Sequence, residues 1–182
     1  YNADIVVNIV KENGRSTGNR WRLTVDDSVV SLKHSSYWSS KADAVANRLG
    51  GQFVLSADTA VICGRRILPK AETAEEARRC LQLLAGRSHR VYGGICLYLP
   101  DGGWRTKLSV SRVKFRPLSP ADMHAYLQSG EWQGKAGGYA IQGRAGLYVR
   151  QIIGSYSNIV GLDMHKVAGL LLGAGFDYVQ PE

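Results

Sequence analysis

The chain is poor in the residues that would settle its chemistry immediately. It has three cysteines (Cys63, Cys80 and Cys96), an odd number without CxxC spacing, and its four histidines (His34, His89, His124 and His165) are scattered. There is therefore no zinc signature, and reduced thiols are the simplest reading of the cysteines. Three reduced, buried thiols in a cytoplasmic protein are the expectation. No apolar run approaches the ~20 residues of a membrane-spanning helix, so no membrane partner is expected. No charged-then-apolar leader opens the chain, and it starts at Tyr1 rather than at methionine, which is expected if native residues or a tag precede it. Internal repeats and low-complexity tracts are also missing. Acidic residues run short: 15 against 23 Lys and Arg, a formal net charge of +8. Such a surplus suits a polyanion, either a nucleic acid or a nucleotide polyphosphate. Tyr37, Trp38 and Trp104 could stack on bases, but no nucleic-acid-binding motif accompanies them, which disfavours nucleic acid as the partner.

With 182 residues, 45% of them apolar, the chain can bury one good core. A strand-like run, Asp4 to Val10, leads into the polar, basic and turn-rich string KENGRSTGNRWR. A helix is predicted from Ser40 to Leu49, with Ala42, Val45, Ala46 and Leu49 on one face. Two short apolar runs, Phe53 to Leu55 and Ala60 to Cys63, flank Ser56-Ala57-Asp58-Thr59. A helix is expected from Ala71 to Leu84, where Thr73 and Glu76 have the spacing of a capping box and Gly86 supplies a stop. His89 to Leu99 and Lys107 to Phe115 read as a hairpin across Pro100-Asp101-Gly102-Gly103. Ser119 with Asp122 caps a helix from Pro120 to Gln128, and a last helix runs from Met164 to Leu172. Interspersed strands and helices make the class α/β with a mixed sheet.

Between Glu131 and Leu162 lie a third of the chain's 21 glycines, threaded with Ile, Val and Tyr that a flexible linker would lack. There the glycines permit close backbone approach between short apolar runs able to form strands. Lys135, Gln142, Arg144, Ser155, Ser157 and Asn158 stand beside them, the makings of a polar, phosphate-tolerant pocket. A glycine-rich meander with ordinary turns is the alternative.

Four further positions admit two readings each. Asp58, at a strand end or bulge, is either an Asx-turn or a carboxylate held for chemistry or a cation. Lys70, before a helix start, is either solvated or set to meet an anion. Gln142, in a run expected to be buried, pairs both ends of its amide with backbone or with a nucleobase edge. Asp26 and Asp27 form either a solvated turn or a hard-cation site.

Taken together, the strings SADT (56–59), ILPK (67–70), GEW (130–132), KAGGYAIQG (135–143) and GSYSNIVGL (154–162) resemble the Maf-like nucleoside triphosphate pyrophosphatases, in order and spacing from Phe53 onward. The resemblance implies a single domain over 1–182, with 53–182 the clear match and 1–40 divergent. It implies an elongated, twisted mixed sheet flanked by helices, with two lobes around a nucleotide-binding cleft, often as a homodimer. It further implies hydrolysis of a nucleoside triphosphate between its α and β phosphorus atoms. Asp58 matches the catalytic base, which works beside a divalent cation, Mg²⁺ or Mn²⁺; Asp27 is the second candidate ligand. Lys41 and Lys70 match phosphate-contacting lysines, and Lys135 is a third cation for the triphosphate. Thr59 and Gln142 match residues of the subgroup acting on dTTP and UTP.

The family's serine-rich turn running into Pro-Arg-Arg has no counterpart here; residues 8–22 read NIVKENGRSTGNRWR, with Arg15, Arg20 and Arg22 as candidate substitutes. Gly93 stands where threonine is frequent, and Asp163 replaces a proline. A nucleotide-binding regulator of the same fold with weakened catalysis is the alternative function.

Overall fold

A computed structural model describes residues 5–12, 20–25 and 53–176, the first two stretches by their backbone alone. Seven strands form one sheet: β1 (Ile5–Glu12), β2 (Arg20–Val25), β3 (Phe53–Cys63), β4 (Arg66–Leu68), β5 (Ser88–Tyr98), β6 (Trp104–Phe115) and β7 (Val149–Ile153). Their order is β2-β1-β3-β5-β6-β7, with β4 pairing β3 off that path. The pairs β1–β2, β1–β3, β3–β4 and β6–β7 are antiparallel. The α/β class therefore holds. The predicted helix over 40–49 lies outside the described residues.

The helices follow from their ends. α1 (Ala74–Leu84) starts after Thr73, whose side chain accepts the Glu76 N–H at 3.2 Å while the Glu76 carboxylate accepts the Thr73 N–H at 3.1 Å. This reciprocal cap satisfies two otherwise orphaned donors. It also explains why the helix begins three residues later than its apolar spacing suggests. α2 (Pro120–Ser129) repeats the device with Ser119 and Asp122, adds Pro120 in its first turn, and ends on Gly130 at φ 69°. The Asp122 carboxylate also takes both ends of the Arg116 guanidinium, at 2.8 and 2.9 Å. That fork holds the carboxyl's pKa well below the ordinary carboxylate range. α3 (Tyr156–Val160) is short, and α4 (Met164–Gly173) closes the described chain.

Two compact units are distinguished. In the first, residues 59–93 and 108–163, the apolar stripe of α1 (Ala77, Cys80, Leu81 and Leu84) joins Val61, Val91, Val113, Phe115, Tyr126 and Tyr139 in a continuous core. β6 shows strict period-two burial there: Ser109, Ser111, Val113 and Phe115 are buried and the residues between them exposed. In the second, the described residues are 5–12, 20–25, 53–58, 94–107 and 164–176. Val54, Leu55, Ile95, Cys96, Leu97, Leu170 and Leu171 are buried there, and Phe53 meets Phe176 edge-to-face at 5.6 Å. All three cysteines are free, buried thiols, as expected.

The sequence suggested turns after residue 10, whereas β1 extends to Glu12 and Arg20–Val25 returns beside it in register, Val10 opposite Arg22. Trp21, Leu23 and Val25 supply the period-two apolar pattern that the surrounding charges obscured.

One buried polar pair lies inside the first core. His89, 1% exposed, shares a 2.8 Å hydrogen bond through Nε2 with the Tyr139 hydroxyl and stands edge-on to Phe115. Burial lowers the imidazole pKa from its ordinary 6.5 to about 4. The native state thus binds fewer protons than the unfolded chain between those values, and stability falls as pH drops through that window. In urea titrations, His89→Gln should remove a pH-dependent loss on the order of 3 kcal/mol between pH 7 and 4. Parallel pH profiles for parent and variant would contradict this assignment.

Candidate functional site

β3 runs unbroken through Ser56-Ala57-Asp58-Thr59, so Asp58 is a mid-strand residue rather than the strand-end or bulge residue the flanking apolar runs suggested. Ser56 and Ala57 before it are buried, and Asp58 and Thr59 are half-buried. Among the described residues, the β1 register on β3 ends at Ala57 and the β4 register begins at Val61. Asp58, Thr59 and Ala60 fall between the two pairings. The Thr59 hydroxyl donates to the carbonyl of Gly161 at 3.3 Å.

Lys70 and Lys135 lie on segments that pair with each other. Lys70 bridges to Ala136 in antiparallel sense. The Ala71 N–H donates to Lys135 O at 3.1 Å, Gly137 N–H to Pro69 O at 2.9 Å, and Gly134 N–H to Ala71 O at 2.8 Å. Both lysines are half-buried. The two lysines thus sit on neighbouring backbone segments of the first unit.

The glycines of KAGGYAIQG make that pairing possible. Gly137 and Gly138 have φ 70° and 68°, a left-handed conformation costly for any other residue. A Cβ on Gly137 would stand 3.0 Å from Val61 Cγ1, and one on Gly138 3.0 Å from the Ala77 backbone. The segment therefore lies directly against β3 and α1. Tyr139 follows, buried, with its phenol pushed up by burial. The Ala140 N–H donates to the Tyr126 hydroxyl at 3.0 Å.

Gln142 is exposed, which corrects the expectation of a buried amide. The buried run ends at Ile141; the chain then turns, with Gly143 N–H donating to Ala140 O at 3.1 Å. Glu131 from GEW lies over the following glycine and accepts the Arg144 N–H at 2.7 Å, where the 3-10 turn Arg144–Tyr148 begins. A Cβ on Gly143 would be 2.1 Å from that carboxylate. Between Glu131 and Leu162 the glycines thus build turns, a 3-10 turn, the short strand β7 and α3 rather than a series of strands. Lys41, Asp26 and Asp27 lie outside the described residues, as does Arg15. Arg20 and Arg22 are described by backbone alone, on β2.

The sequence reading named Ser155 and Asn158 as pocket donors but missed the buried serine of β6 to which both are bonded. Ser111, fully buried on β6, donates to Ser155 O at 2.9 Å and accepts from Asn158 Nδ2 at 3.0 Å. Asn158 Nδ2 also donates to Val91 O at 3.1 Å. Ser109 donates to Asp163 at 2.5 Å, both buried. Serines alternating with Val113 and Phe115 on the inward face of β6 were the available signal.

Among the described residues no group of three or more His, Cys, Asp or Glu side chains could hold a metal. One carboxylate, Asp58, fits a hard cation that arrives with its phosphates, because Mg²⁺ keeps several waters and takes one or two protein carboxylates.

Residues 26–174 match the model for Maf-like protein, and the chain belongs to that family. It is 62% identical over 137 residues to a dTTP/UTP pyrophosphatase of Paramagnetospirillum magneticum, covering 75% of this chain and 72% of the relative. Relatives with the same name in Chelativorans sp. and Mesorhizobium japonicum are 54% and 58% identical, covering 75% and 68% of this chain and 68% and 60% of theirs.

Replacing Gly138 by alanine should destabilise the protein by about 1–3 kcal/mol, through strain at positive φ and contact with α1. Thermal or urea unfolding measures this. Unchanged stability would mean that the KAGG segment is not seated against Ala77.

Proposed function

We propose that this chain is a nucleoside triphosphate pyrophosphatase acting on dTTP, UTP or modified pyrimidine triphosphates, releasing the monophosphate and pyrophosphate. The observation that supports the reading is the backbone pairing of the two segments that carry half-buried Lys70 and Lys135, made possible by the close seating of Gly137 and Gly138 within the strings shared with the family. The names of the relatives support the substrate class.

In this reading Asp58 is the general base. Its carboxylate accepts a proton from a water whose oxygen attacks the α-phosphorus. The bond from that phosphorus to the bridging oxygen breaks, and pyrophosphate departs with the electron pair. Lys70, Lys135 and Lys41 bind phosphate oxygens, each contact a charge-assisted one. Gln142, exposed and not committed to the core, is available to the pyrimidine edge. Mg²⁺ or Mn²⁺, held by Asp58 and Asp27, would supply charge neutralisation at the phosphates when bound. A homodimer and a cytoplasmic location, expected from the sequence, complete the reading.

A second reading, a nucleotide-binding regulator with weakened catalysis, is favoured by one observation: the family match begins at residue 26, so β1 and β2 precede it. Calorimetric binding of dTTP without turnover would favour the regulator.

Pure protein with Mg²⁺ or Mn²⁺ should release pyrophosphate from dTTP and UTP, and a chelator should stop it. Asp58→Asn should lower the rate about 10²–10⁴-fold. A variant as fast as the parent would remove Asp58 from the chemistry.

A further inference from the structure

Asn158 is fully buried on α3, and its amide is oriented without ambiguity. Nδ2 donates to Val91 O on β5 and to Ser111 Oγ on β6, and the carbonyl of Val91 can only accept. The Asn158 backbone N–H donates to Ser155 Oγ at 3.1 Å, so one residue fastens the start of α3 to two strands. Its Oδ1 is buried and has no hydrogen-bond partner among the described residues. That oxygen lies over Gly93, where a Cβ would stand only 2.0 Å away. A Cα–H is the one group that can face it there. Gly93 is therefore the space in which the Asn158 carbonyl sits.

The other end of α3 reaches β3. Gly161, at φ 146°, caps the helix, and its carbonyl accepts the Thr59 hydroxyl. Gly161 N–H and Leu162 N–H both return to Ser157 O, at 3.1 and 2.9 Å, which fixes the direction of that carbonyl. A continuous path thus runs from Val91 and Ser111 through Asn158 and α3 to Thr59, the residue bonded to Asp58.

We propose that Asn158 is a positioning residue for hydrolysis: it sets α3 so that the Gly161 carbonyl anchors Thr59 and with it the backbone of Asp58. This rests on the reading of Asp58 as the base. Thr59, though it marks the pyrimidine subgroup, orients the base through a backbone contact rather than reading the nucleotide.

The test is steady-state kinetics with dTTP for the parent, Thr59→Val, Thr59→Ser, Asn158→Ala, Gly93→Ala and the Gly93→Ala/Asn158→Ala double variant. Thr59→Val should lower kcat about tenfold with KM within about twofold, and Thr59→Ser should recover most of the loss. Asn158→Ala should lower kcat about 10²-fold, and so should Gly93→Ala, whose methyl displaces Oδ1. The double variant should be no slower than Asn158→Ala, because the displaced oxygen is gone. A raised KM with unchanged kcat in Thr59→Val, or losses that multiply in the double variant, overturns the proposal while leaving the enzyme assignment intact. An inactive parent removes the assignment itself, and this inference with it. Should Asn158→Ala fail to fold, the Thr59 pair decides alone.

Discussion

The close seating of Gly137 and Gly138 against β3 and α1 is the constraint on which the remaining geometry depends. Side chains at either position would push the segment off Val61 and Ala77. The hydrogen bonds from Gly137 N–H to Pro69 O, from Gly134 N–H to Ala71 O and from Ala71 N–H to Lys135 O would go with it. Two lysines would then lose their common scaffold. The fold holds the two lysine-bearing segments together by backbone pairing.

Beneath that segment the core is stiff for identifiable reasons. Tyr139, next after the glycines, packs edge-on against Phe115 at 5.0 Å and His89 at 5.4 Å, and its hydroxyl is tied to His89 Nε2. Phe115 passes the contact to Tyr148 and Tyr148 to Tyr126, whose hydroxyl takes the Ala140 N–H. Rings in this arrangement fill volume with few rotatable bonds and place each hydroxyl on a partner. The lysine-bearing loop is therefore anchored at its far end as well as at its start.

Much of this was legible in the residues. Thr73 with Glu76 and Ser119 with Asp122 announced two helix starts, because a capping box is local chemistry that needs no tertiary partner. The strings around Asp58, Lys70, Lys135 and Gln142 identified the family before any geometry. Position within the sheet was not legible: Ser56 and Thr59 looked like strand punctuation, yet β3 carries them through in extended form because β1 supports one half and β4 the other. Gln142 looked buried because Ile141 precedes it, and its exposure follows from a turn closed by Gly143. The Gly93–Asn158 fit joins residues 65 apart, beyond any pattern of spacing along one element.

Catalysis by this chain, as proposed, comes down to which phosphorus atom water attacks. Hydrolysis of dTTP in ¹⁸O-labelled water, followed by mass analysis of both products, reads that directly. The account predicts one heavy oxygen in the monophosphate and none in pyrophosphate. Label in pyrophosphate, or release of orthophosphate in its place, would contradict it.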